Sequence, residues 1–471
     1  MKSILYIVVS LLFVTNIQAS YQAASNIYQA GDHNRYPQLV SELIAEKMYF
    51  SSIPFLKEYL STTSKTNNTA VDQVLDRLVS EVGVRQFEIL PVSILEKSSA
   101  PTIRYILAKK AFRQGKYDEA LKHLEKRIDD DNSVKPFSLL LKASVLSVTN
   151  KGEGAIALFK ECIDVSNSHI RNTKDKERLW QLKINRDYCL VGIARTEFAM
   201  KRYEAANLSY LDLQKSSSIW PEILFEEAWN SFYLKDFNRT LGKLVTYKAP
   251  VFHYIFNPET EVLKALTYME LCLWEDSKNV VEKFYTRYEL ENDNFTKVLN
   301  SMGKDYTKYY MLMKDHADGK SQSGALVRTA LSAIAKDSAY RELLSSYNDA
   351  RSEIEKLKSM GNSRFKSVLE TNLKDSLALQ RDLIGGYIKG QLQLSSAQMI
   401  KAFEDMSYIK LEILSKRKTE LYDEVVLRGE RARGDFMYVK RTDKQYFWNF
   451  KGEFWADELG DYVFALRSEC K

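Results

Sequence analysis

Five histidines, His33, His123, His169, His253 and His316, are the natural general-base and metal-ligand candidates, and they are scattered along the chain. Two imidazoles share a zinc ion on a helix when they stand four residues apart, as in HExxH. No pair here has that spacing. A phosphate-binding loop needs a glycine five positions ahead of its Gly-Lys-Ser, and the only match, "DGKS", has Lys314 at that place. No GxSxG nucleophile turn is present. The adjacent carboxylates Asp457 and Glu458 could pass for an acid–base pair, but their aromatic neighbourhood suits ion pairing or helix capping better. The expectation is therefore no catalytic residue, no metal site and no cofactor.

Cysteine carries the remaining chemistry. Cys162, Cys189, Cys272 and Cys470 include no CxxC pair, which supports neither a redox centre nor zinc. Cys162 and Cys189 fall on neighbouring helices and could pair in an oxidising compartment. The preferred reading is that both are small buried apolar residues.

The elements behind these residues form a ladder. In "YILAKKAFRQGKYDEALKHLEK", Ala108 precedes Phe112 by one turn, a turn spans Gly115 to Tyr117, and Ala120 and Leu124 follow. The turn aromatic recurs as Tyr203, Phe237 and Trp274, at steps of 34 and 37 residues. Ala108, Ala143, Ala194, Ala228 and Ala265 stand in phase, where anything larger than a methyl group would push the paired helices away from each other. This pattern resembles the tetratricopeptide repeat, in which hairpins stack into a solenoid because none buries its apolar face alone. The fold class expected is all-α: a tetratricopeptide-like helical solenoid, then a long helical hairpin or coiled coil, then an aromatic docking tail.

Stacked hairpins of this family line a concave surface with their first helices. The resemblance places Tyr105, Lys109, Phe112, Arg113, Tyr188, Arg195, Phe198, Phe225, Trp229, Phe232 and Tyr233 along that surface. Aromatic rings with scattered basic groups suit an extended peptide or a partner helix. The competing reading places several of these rings in the core.

With 471 residues the chain is too long for one compact core. Its net charge of +6 is interspersed, without the basic stripe that nucleic acid requires. Residues 1–19 read as an export signal: Lys2, an apolar run from Ile4 to Val14, and Ile17–Gln18–Ala19 before the cleavage point. That run is shorter than the roughly 20 residues of a membrane span. The expected order is divergent hairpins in residues 20–100, where Phe50 sits in a turn and Pro54 starts a helix, then the solenoid in 101–290. Irregular helices and a linker follow in 291–323, the long helical hairpin in 324–440 and the tail in 441–471. Within the hairpin, Met360–Gly361–Asn362 is the turn, and Gly385–Gly386 marks a bend or a close contact.

The tail crowds Tyr446, Phe447, Trp448, Phe450, Phe454, Trp455 and Tyr462 together. Rings at that density are expected to dock on the long helices, with Glu453, Asp457 and Glu458 meeting Arg428, Arg431 or Arg433. The repeats, the segment "YIKLEILSKRK" and a closing motif (Trp448, Phe450, Gly452, Glu453, Trp455, Asp457 to Gly460, Tyr462, Cys470) resemble exported repeat proteins of delta-proteobacteria, often labelled gliding-motility-type. That resemblance implies a periplasmic, non-catalytic scaffold whose partners are envelope proteins or extended peptides, without stable membrane insertion. The alternative is a peptidoglycan-associated protein with lytic or cell-wall-binding activity.

Overall fold

The computed structural model describes residues 20–64, 69–422, 439 and 441–470, without the side chains of 417–422. The segment read as a leader and the basic residues Arg428, Arg431 and Arg433 lie outside the described residues. Among the described residues every long element is a helix and there is no strand. In chain order they are α1 (20–30), α2 (Tyr36–Ala45), α3 (Tyr49–Thr62), α4 (Thr69–Val82), α5 (Arg85–Glu88), α6 (Val92–Leu95) and α7 (Pro101–Arg113). Then come α8 (Tyr117–His123), α9 (Lys135–Val148), α10 (Gly152–Asn172), α11 (Lys176–Ala199), α12 (Tyr203–Tyr210), α13 (Trp220–Tyr233) and α14 (Phe237–Thr246). The last are α15 (Glu259–Glu270), α16 (Trp274–Met302), α17 (Tyr306–Ala317), α18 (Ala325–Lys336), α19 (Ser338–Lys358) and α20 (Arg364–Tyr422).

The pairs α2/α3, α7/α8, α9/α10, α11/α12, α13/α14 and α15/α16 are made the same way. Each turns through one residue in the left-handed region two positions before its second helix: Lys47, Gly115, Asn150, Lys201, Lys235 and Cys272, with φ between 55° and 72°. The next backbone N–H then reaches back five residues, from Met48 to Leu43, Lys116 to Ala111, Lys151 to Leu146, Arg202 to Glu197, Asp236 to Ser231 and Leu273 to Tyr268, at 2.9–3.0 Å. This closure satisfies carbonyls that a helix end leaves without partners. Seven residues before each turn residue stand Val40, Ala108, Ala143, Ala194, Ala228 and Ala265, and five after it stand Ser52, Ala120, Ala155, Ala206, Thr240 and Ser277. All twelve are 0 % exposed. Where the small residue is polar it is satisfied: Ser277 donates to the Ala265 carbonyl at 3.0 Å and Thr240 to the Asp236 carbonyl at 3.1 Å. The expected solenoid-type helical hairpins are present, and α2/α3 is built as one of them.

That first hairpin differs from expectation in detail. Tyr49, not Phe50, is the turn aromatic; Phe50 is buried inside α3, and Pro54 lies within the helix rather than at its start. Proline has no N–H to give the carbonyl four residues back. That carbonyl, on Phe50, instead accepts the Ser376 hydroxyl at 3.1 Å.

By contacts the chain groups into two compact units. The first comprises Met1–Gly192 and Glu342–Leu383. Here the seam residues of the long helices, Ala350, Leu357, Phe365, Leu369 and Leu373, join one core with Leu39, Phe50, Leu56 and Ile103. They cover the first hairpins instead of pairing only with each other. Glu353 caps α3 by accepting the N–H groups of Phe50 (2.7 Å) and Ser51 (3.1 Å), and Asn372 donates to the Ser51 carbonyl at 3.0 Å. Burial raises the Glu353 carboxyl above its ordinary value, and those hydrogen bonds oppose the rise. Cys162 and Cys189 form a disulfide, so the reading of both as unpaired apolar residues is corrected.

The second unit comprises Ile193–Arg341 and Ile384–Lys471. Its stretch of α20 buries Ile388, Met406, Ile409 and Ile413, and Phe403 packs edge-on against Phe284 at 4.9 Å. A Cβ on Gly385 would overlap the Tyr306 backbone carbonyl, so the glycine pair marks a close contact. The segment read as a linker is helical through Ala317, because α17 extends that far. Cys272 pairs with Cys470, a second disulfide, which ties the tail to the end of α15.

Candidate partner-binding surfaces

In the second unit, the end of α11, the start of α12 and α13 bring a continuous run of rings together. Tyr203 and Tyr233 stack at 5.2 Å with 10° between planes, and Phe198 meets both edge-on. Trp229 extends the run toward Tyr233 (6.0 Å) and Phe232 (5.5 Å), with Phe225 at 6.5 Å behind it. Helical spacing produces this arrangement, since 225, 229, 232 and 233 fall on one face of α13. The rings are not equally free. Phe225, Trp229 and Phe232 pack onto Ala228, Leu244 and Leu263, whereas Tyr233 is 49 % exposed. Tyr233 is thus the ring most open to a partner.

Arg195 borders this surface and is already engaged. Its guanidinium bonds Glu226 through two nitrogens and Glu222 at 2.8 Å, and the Tyr210 hydroxyl also donates to Glu226 at 3.2 Å. Burial works against the Arg195 charge, but the Glu226 and Glu222 carboxylates outweigh it and hold the guanidinium above its ordinary value. Burial, then the same Glu226 charge, pushes the Tyr210 phenol up. Arg195 is better suited to fixing α11 against α13 than to gripping a ligand carboxylate.

The expected groove positions of the first unit are largely structural. Tyr105 and Phe112 pack on a core of Ala108, Ala111, Leu124 and Val145. Lys109 (2.7 Å) and Arg113 (2.8 Å) both pair with Glu88, which holds that carboxyl below its usual range against the effect of its own burial. Tyr188 is half-buried on α11.

The tail departs furthest from expectation. It docks on α13, α14 and α15 rather than on the long helices. Gly460 lies against Trp220 and Leu224, and a Cβ on Gly242 would overlap the Tyr462 carbonyl. Phe464 and Leu466 pack with Leu241, Leu271 and Leu273. Asn238 accepts the Phe464 N–H on its own carbonyl at 3.1 Å, and Leu271 accepts that of Glu469 at 2.9 Å. Lys215 donates to the Asp457 carbonyl (2.7 Å) and pairs with Asp461 (2.6 Å).

Of the residues expected to dock, Phe454 and Tyr462 are half-buried and form a ring triangle with Phe450 at 5.2–5.6 Å. Trp448, Phe450 and Trp455 are 69 %, 51 % and 59 % exposed, so their expected burial is corrected. Glu453 and the Asp457 side chain are exposed too, and Glu458 is half-buried. The anchors that sequence reasoning missed are Leu459, Gly460, Asp461, Phe464 and Leu466. Their signal was the unbroken apolar run from Tyr462 to Leu466 after Gly460, which the density of rings just before it obscured.

Among the described residues no group of histidine, cysteine and acidic side chains could hold a metal ion, and no helix is long and apolar enough to cross a membrane.

Fold and surfaces together define an all-α protein of tetratricopeptide-like helical hairpins. No protein-family model matches the chain, and no curated protein matches it in sequence. Similar solved structures include the apo form of RapI, at 9 % identity and a TM-score of 0.34, over 79 % of this chain and 97 % of that one. Another is a signal-transduction ATPase of Pyrococcus horikoshii with a tetratricopeptide-repeat sensor, at 11 % identity and a TM-score of 0.33, covering 85 % of this chain. This chain spans 54 % of that ATPase's length. At these scores the likenesses carry no argument about function, and the repeat rests on the recurring turn geometry described above.

Proposed function

We propose that this protein is a non-catalytic interaction scaffold that holds an extended segment of another protein on the aromatic surface around Tyr233. The observation that carries this reading is the Tyr203–Tyr233 stack, a rigid ring pair half open to solvent and backed by Phe198 and Trp229. Rings fixed before binding lose little entropy when a partner arrives, which is why tyrosine and tryptophan dominate binding hot spots. The exposed Trp448 and Trp455 of the tail supply a second set of contacts of the same chemistry. Photocrosslinking from a residue placed at the exposed Ala199, beside Phe198 and with Tyr233 left in place, tests the reading in the organism's own envelope. A discrete partner that is lost when Tyr233→Ala is added supports it, and identical capture by both forms removes it.

The finer reading is that the scaffold works outside the cytoplasm in a cell-envelope complex of the gliding-motility-like kind. Two disulfides favour an oxidising compartment, and the first nineteen residues carry the pattern of an export signal. N-terminal sequencing of the mature protein checks export: a chain beginning at Ser20 supports it, and one retaining Met1 in the membrane fraction overturns it. Release of muropeptides from peptidoglycan by the purified protein would overturn the non-catalytic reading.

A further inference from the structure

A cavity of about 530 Å³ opens in the second unit among α14, α15, α16, α18 and the loop 250–258, and Phe464 of the tail contributes to its wall. Its size falls within the range of sites that enclose small molecules, about 300–1,000 Å³. Phe252, Tyr268, Tyr288 and Phe464 supply the apolar surface. The charges are lopsided. Lys248, Lys264 and Arg287 line the cavity against a single carboxylate, Glu261, and Glu261 stands 3.7 Å from Lys264, too far for a tight pair. Among the described residues no carboxylate pairs with Lys248 or Arg287. Burial, more than any neighbour, disfavours the Lys264 ammonium; the Glu261 carboxylate opposes that effect without cancelling it, and Lys248 and Lys283 add to it. A half-buried cation with so loose a partner is stabilised when an anion arrives beside it. The donors that line the cavity are side-chain ammonium and guanidinium groups, which hold a carboxylate by charge-assisted hydrogen bonds.

We propose that this cavity is a binding site for a small organic acid, with its carboxylate between Lys264 and Arg287 and its apolar body against Phe252, Tyr268 and Phe464. The site is separate from the Tyr233 surface, and neither proposal depends on the other.

Isothermal titration of the full chain with both disulfides formed tests it, using 4-phenylbutyrate and the uncharged 4-phenylbutan-1-ol as probes. The acid should bind one to one and at least tenfold more tightly than the alcohol, with the advantage shrinking as salt screens the charges. Lys264→Gln combined with Arg287→Gln should abolish the difference. A second variant, Thr329→Trp, fills the cavity without touching its charges and should remove binding of both probes, which keeps the test open if the double variant fails to fold. Equal affinity for acid and alcohol, no acid binding at millimolar concentration, or acid binding that survives Thr329→Trp would each overturn the proposal.

Discussion

Asn238 grips Leu466 by both of its backbone groups: its side-chain oxygen accepts the Leu466 N–H at 2.9 Å, and its amide nitrogen donates to the Leu466 carbonyl at 3.2 Å. One side chain thereby does for the extended tail what a neighbouring strand would do, and α14 acts as the platform. Asn238→Ala leaves both groups of Leu466 without partners in a partly buried place, at about 1–3 kcal/mol. Amide hydrogen exchange should therefore rise across residues 460–469, while α7 to α10 keep their protection. Unchanged exchange in the tail would show that packing alone holds it.

The Cys272–Cys470 disulfide closes a sequence separation of 198 residues. Cross-links of this kind contribute about 2–5 kcal/mol, mainly by restricting the unfolded chain. Cys470→Ser should lower the Tm by several degrees and make the tail a ready protease target. Deleting residues 446–471 should cost more, because Phe464 and Leu466 leave Leu241, Leu271 and Leu273 uncovered. A truncated protein that melts like the full chain would show that the tail contributes nothing to stability.

The hairpin ladder was legible because its cause is local and size-limited. Seven residues before the turn residue stands alanine in five of the six hairpins, Ala108 to Ala265, and the slightly larger Val40 in the first. What escaped notice depends on distant partners. Pro54 suggests a helix start when α3 is viewed alone, and only Ser376, more than 300 residues on, makes an internal proline tolerable. The same holds for Cys470, whose partner on the α15/α16 turn has no sequence signal. The groove was half legible, since an aromatic residue on a first helix serves the core or the surface with equal ease. Trp229 and Tyr233 share a helix face yet differ in exposure because Leu244 and Leu263 lie under only one of them.

Gly385 and Gly386 are neighbours with opposite expectations. A Cβ at Gly385 would overlap the Tyr306 carbonyl, whereas at Gly386 the nearest atoms, on the Tyr306 ring, stand 3.9 Å away. Alanine exceeds glycine in a helix by about 1 kcal/mol. Gly386→Ala should therefore raise stability by up to that amount, and Gly385→Ala should lower it as α17 is pushed off α20. Equal effects in urea denaturation would show that the close approach is not a constraint.

Lys57 is half-buried on α3 beside the Phe87 ring, 5.8 Å from its centroid, and burial lowers its ammonium to about 8. The folded pKa therefore lies below the unfolded one, so between the two the unfolded chain binds more protons. Stability from this group is fully present above the unfolded value and is lost as the pH falls through about 8. The difference in unfolding free energy between wild type and Lys57→Met should thus shift in favour of wild type as the pH rises from 7 to about 10. A pH-independent difference would mean that Lys57 finds water in the folded state.

Tyr233 and Trp229 offer the sharpest separation of surface from core. Trp229 rests on Ala228, Leu244 and Leu263, so Trp229→Ala removes packing as well as any partner contact and should cost about 1–3 kcal/mol of stability. Tyr233 is half exposed and touches chiefly other rings, Phe198 at 5.5 Å and Tyr203 at 5.2 Å. Pairs of that kind contribute about 0.5–1.5 kcal/mol beyond their buried area, and because half of the Tyr233 ring is already in water, Tyr233→Ala adds little lost area to that. A large fall in partner capture with a small shift in Tm is therefore expected for Tyr233→Ala. If Tyr233→Ala instead melts as early as Trp229→Ala, the stack belongs to the core, and the exposed Trp448 and Trp455 become the surface to test.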